Sequence, residues 1–250
     1  MKTAYPIAGL FLLWLFIIPI AAQETSSACT DQRGSIRESD GKCVIQSGMT
    51  MEIAYPLEIE THPFAQEIVD TYLQESRADF VRSYADASSE ALNSDLPMVA
   101  NIPWDMAIDY TYSEYSQDTF SLVLQIYTYT GGAHGNTAYK TWVFDAEAES
   151  VLTLDDIFVD SAAGLDAVAP LAQQDIVSRG IVAEGDEWML EGTAPTPENY
   201  ANYTLEADAI TFYFPPYQVG SYALGTLEVH VLLDSLRDVL ADRFQPATGE

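Results

Sequence analysis

The chain has 250 residues, 48% of them hydrophobic, and sets 38 Asp and Glu against 10 Lys and Arg, a formal net charge of −28. That length accommodates one large domain or two small ones with ample core. The acids are scattered singly and in pairs, so they form a solvated acidic surface that repels nucleic acid and anionic membrane and draws in cationic partners. Adaptation of a whole proteome to saline water accounts for the same charge without any partner.

Met1 to Ala22 reads as a secretory signal. Lys2 is its only charge, Ile7 to Ile20 is apolar, and Ile20-Ala-Ala22 offers small residues for cleavage. The apolar run is shorter than the roughly 20 residues a spanning helix needs, which leaves an uncleaved anchor as the alternative. Cleavage would remove one of the 10 basic residues and no acid, leaving −29. An extracytoplasmic location, periplasmic or secreted, follows, with no membrane insertion once the signal is removed. Residues 23–48 form a polar lead-in containing Cys29 and Cys43, the only two cysteines. In an oxidising compartment these predict a disulfide. The alternatives are a lipidated Cys29, without the usual leucine three residues earlier, and a two-cysteine metal site, without other ligands nearby.

Met51 to Tyr55 alternates as a strand, and Pro56 and Pro63 bracket a short extended stretch. From Pro63 the period changes: Phe64, Ile68, Val69, Tyr72, Leu73, Phe80 and Tyr84 predict an amphipathic helix of about five turns ending near Tyr84. Ala85 to Pro103 reads as a polar connection. Met106–Tyr112 and Phe120–Tyr129 read as strands joined by a loop at Ser113 to Asp118, and Thr137–Phe144 as a third strand. Thr153 to Phe158 is a short helical turn capped by Thr153, with Asp155 and Asp156 favourable in its first turn. Leu165, Val168, Ala169, Ala172, Ile176 and Val177 predict a second helix, which begins near Pro170 or kinks there and ends at Gly180. Asp186 to Tyr203 reads as a loop with exposed aromatics. Ile210–Phe214 and Gly225–Leu232 are strands around a loop at Pro215 to Leu224, and Asp234 or Ser235 caps a terminal helix.

One helix before a three-strand run and another before two strands make an α+β protein of two small helix-on-antiparallel-sheet units packed together. The units are expected at 49–130 and 131–245. No internal repeat stands out.

Tyr127-Thr-Tyr-Thr-Gly-Gly-Ala-His-Gly-Asn-Thr137 is the most informative stretch. Its three glycines permit backbone angles closed to other residues, or close approach of another chain, and tyrosines flank them. The stretch predicts a shaped surface loop with aromatic walls. The candidate binding residues are Tyr127, Tyr129, Thr130, Gly131, Gly132, His134, Asn136 and Tyr139. Elsewhere Tyr112, Tyr115, Trp188, Tyr200, Tyr203, Tyr217 and Tyr222 suit a protein or sugar contact surface as a set, although any one of them also suits a core.

Catalytic patterns are thin. Ser221 lies in Val-Gly-Ser-Tyr-Ala, without the Gly-x-Ser-x-Gly elbow. His62, His134 and His230 form no spaced metal motif, and no phosphate loop or dinucleotide fingerprint is present. Glu228 and His230, two apart on a strand, share a face and read as a surface pair. No catalytic, metal or cofactor residue is assigned. The rival expectation is a hydrolase of cell-wall glycan using an acidic pair or His134.

The glycine–histidine stretch, with Lys140-Thr-Trp-Val-Phe-Asp145, Leu152-Thr-Leu-Asp-Asp-Ile-Phe158, Ile210-Thr-Phe-Tyr-Phe-Pro-Pro-Tyr-Gln-Val-Gly220 and Ser221-Tyr-Ala-Leu-Gly-Thr-Leu-Glu-Val229, resembles a bacterial extracytoplasmic module of two consecutive domains. The module occurs in the lysozyme-sensing ectodomain of the anti-sigma factor RsiV and precedes the catalytic domain of the peptidoglycan deacetylase PdaC. The likeness covers residues 48 to 240. It implies a non-enzymatic binding domain whose partner is a basic protein such as lysozyme, or peptidoglycan. Only six residues precede the apolar run, so the signalling role is not expected to carry over. The sequence ends at Glu250 with no long domain after the module, so the deacetylase activity is not expected either.

Overall fold

The computed structural model describes Cys29 and residues 35–46, 48–92 and 102–247. The expected signal segment lies outside the described residues. Three short strands open the chain: β1 (Ser35–Ile36), β2 (Cys43–Gln46) and β3 (Met49–Ile53). A disulfide joins Cys29 to Cys43, both fully buried. Closing a loop of this size stabilises by about 3 kcal/mol in the chain-entropy account.

Helix α1 (Pro63–Leu92) then carries the chain across to β4 (Trp104–Ser116), which pairs parallel to β3. A parallel pair requires such a crossover, because a tight turn can join only antiparallel neighbours. β5 (Thr119–Tyr129), β6 (Asn136–Asp145) and β7 (Ser150–Leu152) follow as antiparallel neighbours, completing a seven-stranded sheet in the order β1 to β7. The glycine loop, at the boundary expected between two units, joins adjacent strands of this one sheet. After it come α2 (Leu154–Ile157), α3 (Ser161–Ser178) and α4 (Glu187–Gly192). A second sheet is built from β8 (Tyr203–Leu205), β9 (Ala209–Phe214) and β10 (Leu227–Leu232), ordered β10-β9-β8. The architecture is α+β.

Alternation along the strands divides the large sheet into two faces. Met106, Ile108, Phe120, Leu122, Leu124 and Phe144 are buried beneath Ala65, Val69, Leu73 and Phe80 of α1 in one apolar cluster. Spaced by four, four and seven, those four α1 residues lie on a single helical stripe. A second apolar cluster joins Leu165, Val168, Ala172 and Ile176 of α3 to Ile210, Phe212, Val229 and Val231 of the small sheet.

Several expected boundaries move. α1 runs eight residues beyond Tyr84, through Ala85, Ala87, Glu90 and Ala91. These are good helix formers on a largely solvated turn, where no apolar period marks them. The expected loop at Ser113 to Asp118 is instead a tight hairpin: β4 continues to Ser116, pairing with Thr119 after a register shift between Glu114 and Ser116. α3 starts well before Pro170 and contains it, with the Asp160 side chain accepting from the Ala163 amide at its N-terminus. α4 falls within the stretch read as loop, capped by Asp186, and the terminal helix is only a 3-10 turn at Leu233–Leu236. Thr153 does cap α2, in a reciprocal box with Asp156.

Candidate functional site

The small sheet is fixed to the large one by hydrogen bonds from the face opposite α1. Ser121 Oγ accepts from the Leu205 amide at 2.9 Å and donates to the Leu205 carbonyl at 3.0 Å. Thr141 Oγ1 accepts from the Tyr203 amide at 2.9 Å. The Arg243 guanidinium bonds the buried Asp145 carboxylate and donates to Thr119 Oγ1 at 2.9 Å. Arg243 holds the Asp145 carboxyl below its ordinary range, and the Ala148 and Glu147 amides reinforce it. These bonds seat the second sheet against the first, with the Arg243 contacts at the end of β5 and β6 opposite the glycine loop.

At the other end of these strands the glycine loop meets the loop between β9 and β10. Gly131 has φ +89°, and a side chain on it would collide with Ile102. Gly135 is buried under the Tyr127 ring, where even a methyl group would overlap the phenol. His134 stacks on Tyr222 with ring centroids 3.8 Å apart and planes at 19°. Its Nδ1 lies 2.8 Å from the Gly135 carbonyl oxygen, to which the Tyr222 hydroxyl also donates at 2.8 Å. A carbonyl only accepts, so Nδ1 carries the hydrogen. In the neutral ring Nε2 is then the acceptor, and it faces the Tyr217 hydroxyl at 3.5 Å.

Tyr217 is the strained member. Its φ is +72°, a left-handed conformation that costs a non-glycine residue about 1 kcal/mol or more, yet half of its surface is exposed. The neighbouring structure enforces it. Trp188 Nε1, on α4, donates to the Tyr217 carbonyl at 2.9 Å, and Gln218 Nε2 donates to the carbonyls of Gly192 and Asn199. Gly192 lies so close to the Gln218 carbonyl that a side chain there would drive the loop away. Trp188 and Tyr127, 45% and 38% exposed, extend the aromatic surface.

Of the sequence candidates, Tyr127 and His134 lie in this aromatic face, on a loop shaped by Gly131. Thr130, Gly132 and Asn136 are exposed beside it, and Tyr129 is half-buried at the end of β5. Tyr139 lies elsewhere: it stacks on Tyr213 between the two sheets at 5.3 Å. Burial pushes the Tyr213 hydroxyl up to about 12, so it stays protonated at neutral pH. The other loop aromatics divide. Tyr217, Tyr222 and Trp188 join the face, whereas Tyr200 and Tyr203 are buried in the second core. Tyr112 and Tyr115 belong to β4.

The remaining histidines are engaged as well. His62 packs on Phe120 at 4.7 Å, and His230 Nδ1 lies 2.7 Å from Thr211 Oγ1, which donates to Glu206. Among the described residues no three of His, Cys, Asp and Glu converge as metal ligands, and no helix is long and apolar enough to cross a membrane.

Comparison with known proteins matches two parts of the chain to two families. Residues 46–137 match the family described as deacetylase PdaC, and residues 155–234 match a family described as protein of unknown function, DUF3298. The peptidoglycan-N-acetylmuramic acid deacetylase PdaC of Bacillus subtilis is 32% identical over 140 residues, 56% of this chain. The chain spans 30% of the length of that protein. An esterase of Mycobacterium tuberculosis is 25% identical over 235 residues, covering 91% of this chain and 95% of its own. The immunogenic protein MPT64 of the same species is 23% identical over 225 residues, covering 89% and 92%. Two solved DUF3298-family structures share the fold. The one from Pseudomonas aeruginosa has a TM-score of 0.55 at 17% identity, covering 80% of this chain and 88% of its own, and the one from Bacteroides fragilis 0.50 at 20%, covering 78% and 85%. The chain is therefore similar to a two-part module, PdaC-like through the glycine loop to residue 137 and DUF3298-like from residue 155 in α2 onward.

Proposed function

We propose that the protein is an extracytoplasmic binding module of the cell envelope. It takes a glycan strand of the cell wall on the aromatic face formed by Tyr127, His134, Trp188, Tyr217 and Tyr222, and it performs no reaction of its own. The strained, half-exposed Tyr217 carries this reading. A fold holds a tyrosine at φ +72° with its ring in water only when its neighbours over-determine it, and such strain concentrates at binding sites. Flat rings with polar edges suit sugar faces and hydroxyls. The similarity to a peptidoglycan deacetylase supports the ligand class, and the disulfide supports an oxidising compartment. Both ring nitrogens of His134 already face partners, which leaves it ill suited to act as a general base.

A basic cell-wall-active protein such as lysozyme is the second reading, favoured by the formal charge of −28. One calorimetric series tests both, with soluble muropeptides and hen-type lysozyme titrated from about 50 to about 500 mM salt, above and below the range where exposed charges are screened. Saturable muropeptide binding that persists at high salt and is lost in Tyr217→Ala supports the glycan. Salt-resistant one-to-one binding of lysozyme, also lost in Tyr217→Ala, replaces it with the protein partner. Binding of either that ignores Tyr217→Ala removes the aromatic face from the proposal. Release of acetate or of reducing sugar from the muropeptides would overturn the non-enzymatic reading.

A further inference from the structure

The seven-stranded sheet ends on an edge that is only partly covered. β6 has ten residues, but β7 pairs with just Val143, Phe144 and Asp145. The chain leaves the ladder at Thr153, where the capping box with Asp156 starts α2. Among the described residues, no backbone hydrogen bond joins Asn136–Trp142 to another strand on that side. Beside the Lys140–Trp142 end of this stretch lies a cleft of about 330 Å³. Trp142 and Lys140 of β6, the end of β7 at Leu152, Leu154, Pro197 and Tyr203 line it. A strand continuing the line of β7 would lie along this cleft, and its alternate side chains would enter apolar walls.

We infer that the open edge of β6 is a docking site for an extended segment of another protein chain, one that carries positive charge. A row of outward N–H and C=O groups is satisfied by another strand's backbone, with specificity from pockets for alternate side chains. A second copy of this chain is disfavoured because each copy carries a formal charge of −28. Lys140 lies over the Trp142 ring at 5.2 Å. The same acidity favours a cationic strand. This edge does not depend on the aromatic face, and its test reads backbone amides rather than ring contacts.

The probe is an acetylated, amidated heptapeptide of alternating lysine and valine, long enough to span Asn136–Trp142. Hydrogen exchange of the intact protein is followed with and without saturating peptide. Alternate amides of Asn136–Trp142 are expected to slow by about tenfold or more, as for amides newly paired in a bound state. Two control peptides carry N-methyl groups on alternate residues in opposite phases, which keeps every charge and side chain. One phase should abolish the protection and the other preserve it, because only every second amide of a strand faces its neighbour. No protection at millimolar peptide, equal behaviour of the two phases, or protection elsewhere each overturns the assignment. Protection of Asn136–Trp142 in free protein that grows with its concentration, with dimers in sedimentation, overturns it in favour of a second copy.

Discussion

On the α1 side of the large sheet, Phe120, Leu122, Leu124 and Phe144 are buried among apolar side chains, with the Phe120 and Phe144 rings 5.1 Å apart. On the opposite side, alternate residues of the same strands are Thr119, Ser121, Thr141 and Asp145, equally buried but hydrogen-bonded to the second sheet and its flanking segment. The difference lies in what each partner presents. A helix has satisfied its own backbone and asks only for apolar area. The short strand β8 and the loops around it bring unpaired amides and carbonyls, which must find partners when buried. One face therefore supplies undirected stability, and the other sets where the second sheet sits and hence how its aromatic loop meets the glycine loop.

Substitutions on the two faces should separate these roles. Leu122→Ala, at a fully buried apolar position, is expected to destabilise the fold by about 3 to 4 kcal/mol, read as a lower denaturant midpoint. Losing the disulfide in Cys43→Ser should cost about 3 kcal/mol on the same side, and reductant should then have no further effect. Ser121→Ala is expected to cost less, about 2 kcal/mol, because it leaves the Leu205 amide and carbonyl without their partner. Its signature is local: exchange at Tyr203–Leu205 should speed up before exchange in β5, and a global loss with uniform exchange would deny the hydrogen-bonded face its positioning role.

The Asp145–Arg243 contact gives a pH test of the second face. The carboxyl is held below its unfolded value, so the contribution is present above the ordinary carboxylate range and lost as pH falls through the lowered folded value. Arg243→Ala should therefore flatten part of the acid limb of a stability–pH curve and leave its shape above pH about 6 unchanged. An unchanged acid limb would mean that the ion pair contributes nothing to folding.

The smallest stability effect is expected at the aromatic face. Tyr217→Gly relieves the left-handed backbone but gives glycine more freedom when unfolded, so stability should stay within about 1 kcal/mol of the parent while ligand binding is lost. A large destabilisation would make Tyr217 a structural residue rather than a binding one.

Legibility in the sequence follows the same division. The apolar periods of β5, β6, α1 and α3 were readable because each records burial against one continuous partner. β7 and β8 have three residues each, too few for a period to show, and α4 has only six. Tyr200 and Tyr203 look like exposed loop aromatics in sequence, yet their hydroxyls donate to the Thr193 and Leu152 carbonyls inside the second core. The glycine–histidine loop announces an unusual backbone. Its partners do not show, because Trp188, Tyr217 and Tyr222 come from segments more than 50 residues away.

The sequence by itself determined the α+β class, the acidic surface, the cysteines available for one disulfide and the loop whose glycines permit its shape, since these depend on local period, composition and backbone freedom. The tertiary structure alone decided that strands on both sides of that loop form one sheet, that Tyr139 belongs between sheets, and that His134 stacks on Tyr222. The physical reason is that long-range hydrogen bonds such as Ser121 to Leu205 and Arg243 to Asp145 fix relative placement through geometry, and no local pattern of residues records which distant group will satisfy them.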